Sequence, residues 1–158
     1  MRFLSLAVAA LAASFALSSP AEARRGLNVG ILRCVVEPTM GLLIGSSTAV
    51  NCRFEPSGGG RTGSFTGRVV TVGLSIGFTS RTNVSWLVIA PGKVKPQAIE
   101  GDYVGASANA SVILGLGANA LVGGFQDSIG LQPLSVQAQT GLNFALGATS
   151  LSLRYTGR

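Results

Sequence analysis

Glu100 and Asp102 stand two residues apart, and in an extended chain that spacing puts both carboxylates on one face. A carboxylate pair can shuttle a proton or hold a hard cation. The rest of the chain gives such a pair little to work with. There is no histidine among the 158 residues, so a nucleophilic triad lacks its base and an imidazole-bearing metal site lacks its ligand. A Ser–Lys dyad would depend on Lys93 or Lys95, both in a Pro-containing polar loop. An enzyme using Glu100 and Asp102 is therefore the weakest of three functions considered, and both carboxylates are expected in solvent beside arginines. The expectation is that the protein is not an enzyme.

Two other groupings carry chemistry in principle. Gly115-Leu116-Gly117-Ala118-Asn119-Ala120 spells the dinucleotide fingerprint. That fingerprint needs a helix behind its glycines and an acidic residue about 20 positions on. Here Leu121-Val122-Gly123-Gly124 follows, and position 137 is Gln. No cofactor is expected. Cys34 and Cys52 are the only cysteines. Their spacing is not that of a redox Cys-x-x-Cys pair, and in an exported chain two cysteines read as a disulfide. Such a bridge would stabilise the fold by roughly 3 kcal/mol through the unfolded state.

Export is read from the N-terminus. Arg2 is followed by an apolar run from Phe3 to Leu17, then by Ser18-Ser19-Pro20-Ala21-Glu22-Ala23. This is the three-part pattern of a secretory signal, with cleavage expected between Ala23 and Arg24. The run is shorter than the roughly 20 residues of a membrane span. Residues 1–23 are thus expected to form a cleaved signal helix and 24–158 a single β-rich domain, periplasmic or secreted. Setting aside Arg2 and Glu22 leaves 11 basic and five acidic residues, so the net charge stays at +6. The basic residues are scattered rather than interleaved with aromatics, which argues against nucleic acid. A positive excess favours anionic surfaces.

Alternation governs the remainder. Leu27 to Val36 and Leu74 to Thr79 each sort into two faces; Ser46 to Phe54 reads as a further strand and Val84 to Ala90 as the most hydrophobic one, punctuated by Pro56-Ser57-Gly58-Gly59-Gly60 and Pro91-Gly92. Further strands are expected over 107–115, 118–122, 129–137 and 142–155, with a turn near Gln126-Asp127. Glycines and β-branched residues interrupt every helical period. The pattern predicts an all-β fold of about 8–10 short strands. A closed or nearly closed antiparallel barrel is the first choice and a sandwich the second. Trp86 is expected in the core. Asn119, Gln132, Gln137, Gln139 and Asn143 are the polar members of the glycine-rich half. Their amides would either satisfy backbone groups where the sheet bends or line a cavity.

Several of these segments together carry a resemblance. Cys52-Arg53-Phe54, Phe65-Thr66-Gly67, Gly101-Asp102-Tyr103-Val104-Gly105, the run GANALVGG at 117–124, LQPLSV at 131–136 and Gly141-Leu142-Asn143 resemble the small exported alphaproteobacterial proteins grouped as domain of unknown function 992. Phe65 stands where that pattern would have Tyr. The resemblance implies export and a shared fold, and it implies no activity. The leading expectation is a non-enzymatic periplasmic barrel with a structural or binding role at the envelope, its partner an anionic envelope lipid or an envelope protein. The alternative is a small integral outer-membrane barrel.

Overall fold

The computed structural model describes residues 26–38, 42–76, 81–105, 114–117, 119–134 and 148–157. Eight strands make up the fold: β1 (Leu27–Val36), β2 (Leu42–Pro56), β3 (Gly63–Ile76), β4 (Thr82–Ala90), β5 (Gly101–Gly105), β6 (Leu121–Gly123), β7 (Ile129–Leu134) and β8 (Ala148–Gly157). They close into one antiparallel barrel in the order β1-β2-β3-β8-β5-β6-β7-β4. Read around the ring, β4-β1-β2-β3 is a Greek key, and β8-β5-β6-β7 is a second one of the same order. An even number of strands lets every neighbour be antiparallel, and closure leaves no open edge.

Alternation decides which side chains enter. Leu32, Cys34 and Val36 of β1, Val50, Cys52 and Phe54 of β2, and Val84, Trp86 and Val88 of β4 are all buried. They meet Phe65 and Val69 of β3, Leu151 and Leu153 of β8, Tyr103, Leu121, Ile129 and Leu131 in one interior cluster. Trp86 sits there as expected. A void among Cys34, Val36, Val50, Val69, Val84, Trp86 and Leu151 measures about 10 Å³, no more than one water could use.

One mouth of the barrel is stoppered by the β4–β5 connection. Pro96–Ile99 forms a 3-10 turn that begins on its proline, and Ile99 is fully buried beneath it. Tyr103, also fully buried, donates its hydroxyl to the Ile99 carbonyl at 2.8 Å. The outward faces differ from the interior in kind. Arg33, Asn51, Arg53, Thr66, Arg68, Arg154 and Thr156 are exposed on β1, β2, β3 and β8.

The sequence expectations hold with adjustments. The bridge is present, joining Cys34 to Cys52, which face each other across β1 and β2 with Cα atoms 4.0 Å apart. β2 begins at Leu42, so part of the expected connection is strand. The strand expected over 107–115 is not found at its described end: Leu114 is helical and Gly115 turns with φ 68°. The turn expected at Gln126-Asp127 is a 3-10 turn, Phe125–Asp127. The described part of the strand expected over 129–137 is β7, and that of the strand expected over 142–155 is β8, which runs on to Gly157; residues 135–147 lie outside the described residues. The signal segment with Ala23 and Arg24 lies outside the described residues, as do Gln137, Gln139 and Asn143. Among the described residues no helix is long and apolar enough to cross a membrane.

Candidate functional site

Among the described residues the interior is packed with apolar side chains, and the larger grooves lie on the outer wall. β4 is the key to one of them. Its burial does not alternate: Ser85 and Ile89, whose neighbours point inward, are themselves buried. The cover comes from the chain before β6. Leu114, Leu116 and Ala120 lie over Ile89, with Leu87 and Val122 packed at the margin, and form a second apolar cluster outside the barrel. Small residues make room for it. A Cβ on Gly130 would fall 2.6 Å from Leu116 Cδ2, so glycine is what lets Leu116 approach the outer face of β7. Gln132, on the same outward face of β7, accepts the Gly117 N–H at 2.6 Å and pins this cover.

Beside the cover a groove of about 610 Å³ opens, walled by Gly26, Asn28, Leu87, Ile89, Leu114, Gly115 and Leu116. Leu27, 57% exposed, stands on the adjoining end of β1. Across β1 lies a second groove of about 370 Å³, bordered by the polar Arg33, Asn51, Arg53, Glu55, Ser64, Thr66 and Thr156 and by the apolar Val35, Cys52 and Phe65. Arg33 and Arg53 are direct cross-strand partners there. Arg33 Nε donates to Glu55 Oε2 at 3.1 Å, while Arg53 Nη2 donates to the neutral Thr62 Oγ1 at 3.3 Å. Two like charges directly opposite each other disfavour the sheet, and the one carboxylate beside them, Glu55, pairs with Arg33 alone.

The residues singled out by sequence fall as follows. Glu100 precedes β5 and is exposed; its Oε2 accepts the Tyr155 N–H at 2.8 Å and its Oε1 lies 4.0 Å from Arg154 Nη1. Asp102 is exposed on β5. Neither lines either groove. Gln132 takes the backbone-satisfying role considered for the amides, and Asn119 is exposed with a left-handed φ of 59°. Asn tolerates that region better than most residues. Gly115 to Ala120 leads into a strand, so no helix stands behind its glycines to receive a pyrophosphate. Among the described residues no group of three or more His, Cys, Asp or Glu side chains could hold a metal ion.

Sequence reading missed the arginine pair and the outer cover. Both had a trace. The unbroken apolar run Trp86-Leu87-Val88-Ile89-Ala90 signals a strand buried on both faces. Arg33 and Arg53 each adjoin a bridged cysteine, which places them opposite one another once the bridge is drawn.

Fold and surface together define a closed double Greek-key barrel whose interior, among the described residues, is packed with apolar side chains and whose outer wall carries two grooves. The chain belongs to the family of proteins of unknown function DUF992, whose profile matches residues 12–154. No curated protein and no solved structure matches it.

Proposed function

We propose that the protein is an exported, non-enzymatic, water-soluble barrel of the periplasm that works by binding an anionic component of the cell envelope on its outer wall. One observation carries this reading: the barrel is apolar inside and polar outside, with Arg33, Arg53, Arg68 and Arg154 facing outward on four neighbouring strands. A membrane-spanning barrel has the reverse order, with an apolar band toward lipid and a polar lumen. Spanning barrels are also up-and-down meanders, whereas this one is built of Greek keys. Two of the outward arginines pair with Glu55 and Glu100; among the described residues no acidic partner is found for Arg53 or Arg68. The positive excess therefore stays available to an anionic surface, within a range of about 8 Å at physiological salt.

Expression of the full chain with fractionation and vesicle co-sedimentation tests this reading. The expected result is a protein beginning at Arg24 in the osmotic-shock fluid, soluble without detergent, that sediments with phosphatidylglycerol vesicles at low salt and is released by 0.5 M salt (about 4 Å of screening length). Recovery only in the detergent-extracted outer membrane would replace it with the spanning-barrel alternative. Failure to bind anionic vesicles at low salt would remove the lipid partner.

A further inference from the structure

We propose that the arginine-bordered groove and the apolar groove form one site for a single-chain lipid with a phosphate head, the phosphate held by Arg33 and Arg53 and the chain lying along Leu87, Ile89 and Leu116. The inference rests on the envelope-binding reading above and names the ligand class. The cross-strand bridge sets the head position. Cys34 and Cys52 are register partners, and their neighbours Arg33 and Arg53 are therefore held opposite one another on the outer face. Glu55 compensates only part of that double charge. A phosphate offers what the pair lacks: negative charge, and several acceptor oxygens in the geometry that a guanidinium fork donates to. A carboxylate headgroup supplies fewer oxygens and one charge at most, which is why phosphate is the better match.

The tail position follows from the register on the other side of β1. Arg33 pairs with Ser85 and Ile31 with Leu87, so Leu87 lies one strand across and two residues along from Arg33. That diagonal spans about 7–8 Å between backbones, within reach of an arginine side chain. From Leu87 the apolar groove continues to Ile89 and Leu116, and its volume of about 610 Å³ is in the range of small-molecule sites, about 300–1,000 Å³. A charged head site one strand across and two residues along from an apolar groove selects an anionic amphiphile over either half alone. Neither a free phosphate nor a neutral detergent uses both grooves.

The probe is dodecyl phosphate, titrated below its micelle concentration into the oxidised protein and followed by calorimetry and amide chemical shifts. Inorganic phosphate and dodecyl maltoside are the half-ligand controls. The expected result is one site per chain, at least tenfold tighter for dodecyl phosphate than for either control, with shifts at Arg33, Arg53, Leu87 and Leu116. Shortening the chain should weaken binding by up to about fourfold per methylene. Arg33→Gln/Arg53→Gln and, separately, Leu87→Ser should each weaken it at least tenfold, with circular dichroism reporting an intact barrel. Binding unchanged in both variants, or equal binding of inorganic phosphate, overturns the proposal. Vesicle co-sedimentation of the parent separates the two readings. Vesicle binding without dodecyl phosphate binding sinks the lipid-chain site and leaves envelope association standing; loss of vesicle binding alone sinks the association and leaves the site.

Discussion

Tyr103 carries a hydroxyl into a barrel interior built mostly of apolar side chains, and a single hydrogen bond makes that tolerable. Its acceptor, the Ile99 carbonyl, belongs to the turn that stoppers the barrel, so the bond ties the stopper to β5. Gly124 lies against the same hydroxyl with φ 71°, and a Cβ there would fall 2.6 Å from it. Tyr103→Phe keeps the ring and removes the donor, leaving a buried carbonyl with one partner fewer. The expected loss is about 1–2 kcal/mol, read as a lower urea midpoint at unchanged slope. Burial also raises the phenol's pKa above its ordinary value of 10.0. Above pH 10 the unfolded chain gives up this proton while the folded one keeps it, so the tyrosine contributes fully below pH 10 and its contribution falls as pH rises further. The slope approaches about 1.4 kcal/mol per pH unit, and Tyr103→Phe should flatten it. Equal alkaline stability in parent and variant would show that the phenol is not buried. None of this was legible in the sequence. Tyr103 is an ordinary residue in a strand, and its acceptor is backbone in a segment that reads as polar loop.

Strands were legible wherever a strand buries one face. Along β1 buried and outward residues alternate, and β1 and β4 each begin within a few residues of where the pattern placed them. The reading failed before β6. There Leu114 and Leu116 sit two apart as in a strand, but they cover the outside of β4 rather than pairing into the sheet. Two-residue spacing cannot tell these cases apart, because what decides is the space offered by Gly130 on β7 and by Gly26 just before β1, both distant in the chain. The bridge was legible from cysteine count and export, and its placement adds an element-scale consequence. Both sulfurs are inside the barrel, with Cys34 3% and Cys52 5% exposed. Reduction by an added thiol must therefore wait for β1 and β2 to open, and it should track unfolding as urea is raised rather than thiol access to a surface. Alkylation of unreduced, denatured protein should label no cysteine. The Cys34→Ala/Cys52→Ala variant should lose about 3 kcal/mol by urea denaturation, since the cross-link closes a loop with a separation of 18 residues. A loss under about 0.5 kcal/mol would mean that the hairpin register is held by its other pairs.

At the scale of the whole molecule the connections were the illegible part. An alternating sequence specifies strands and faces, whereas the pairings of β4 with β1 and of β8 with β3 join segments with no local sign of each other. The pairings of β8 with β3 and of β7 with β4 interlock the two Greek keys, and they make each key incomplete alone. Cut at the exposed loop between Pro91 and Lys95, the first half would keep β1–β4 with its bridge but expose one edge of β3 and one of β4. The second half would expose β8 and β7 and would hold the stopper with no mouth to close. Each would also uncover the apolar face that the other half now covers, and four-stranded sheets open at both edges pair with whatever edge they meet. Fragments 24–95 and 96–158 prepared separately are therefore expected to show no cooperative urea transition. Mixed after refolding in equimolar amounts, they should form a one-to-one complex whose single transition depends on concentration. Reassembly should be slow, in the range of milliseconds to seconds or longer, because the pairs that close the ring are the least local ones. A cooperative transition in fragment 24–95 alone would show the opposite, that the first Greek key is an autonomous unit and that closure with the second adds little to its stability.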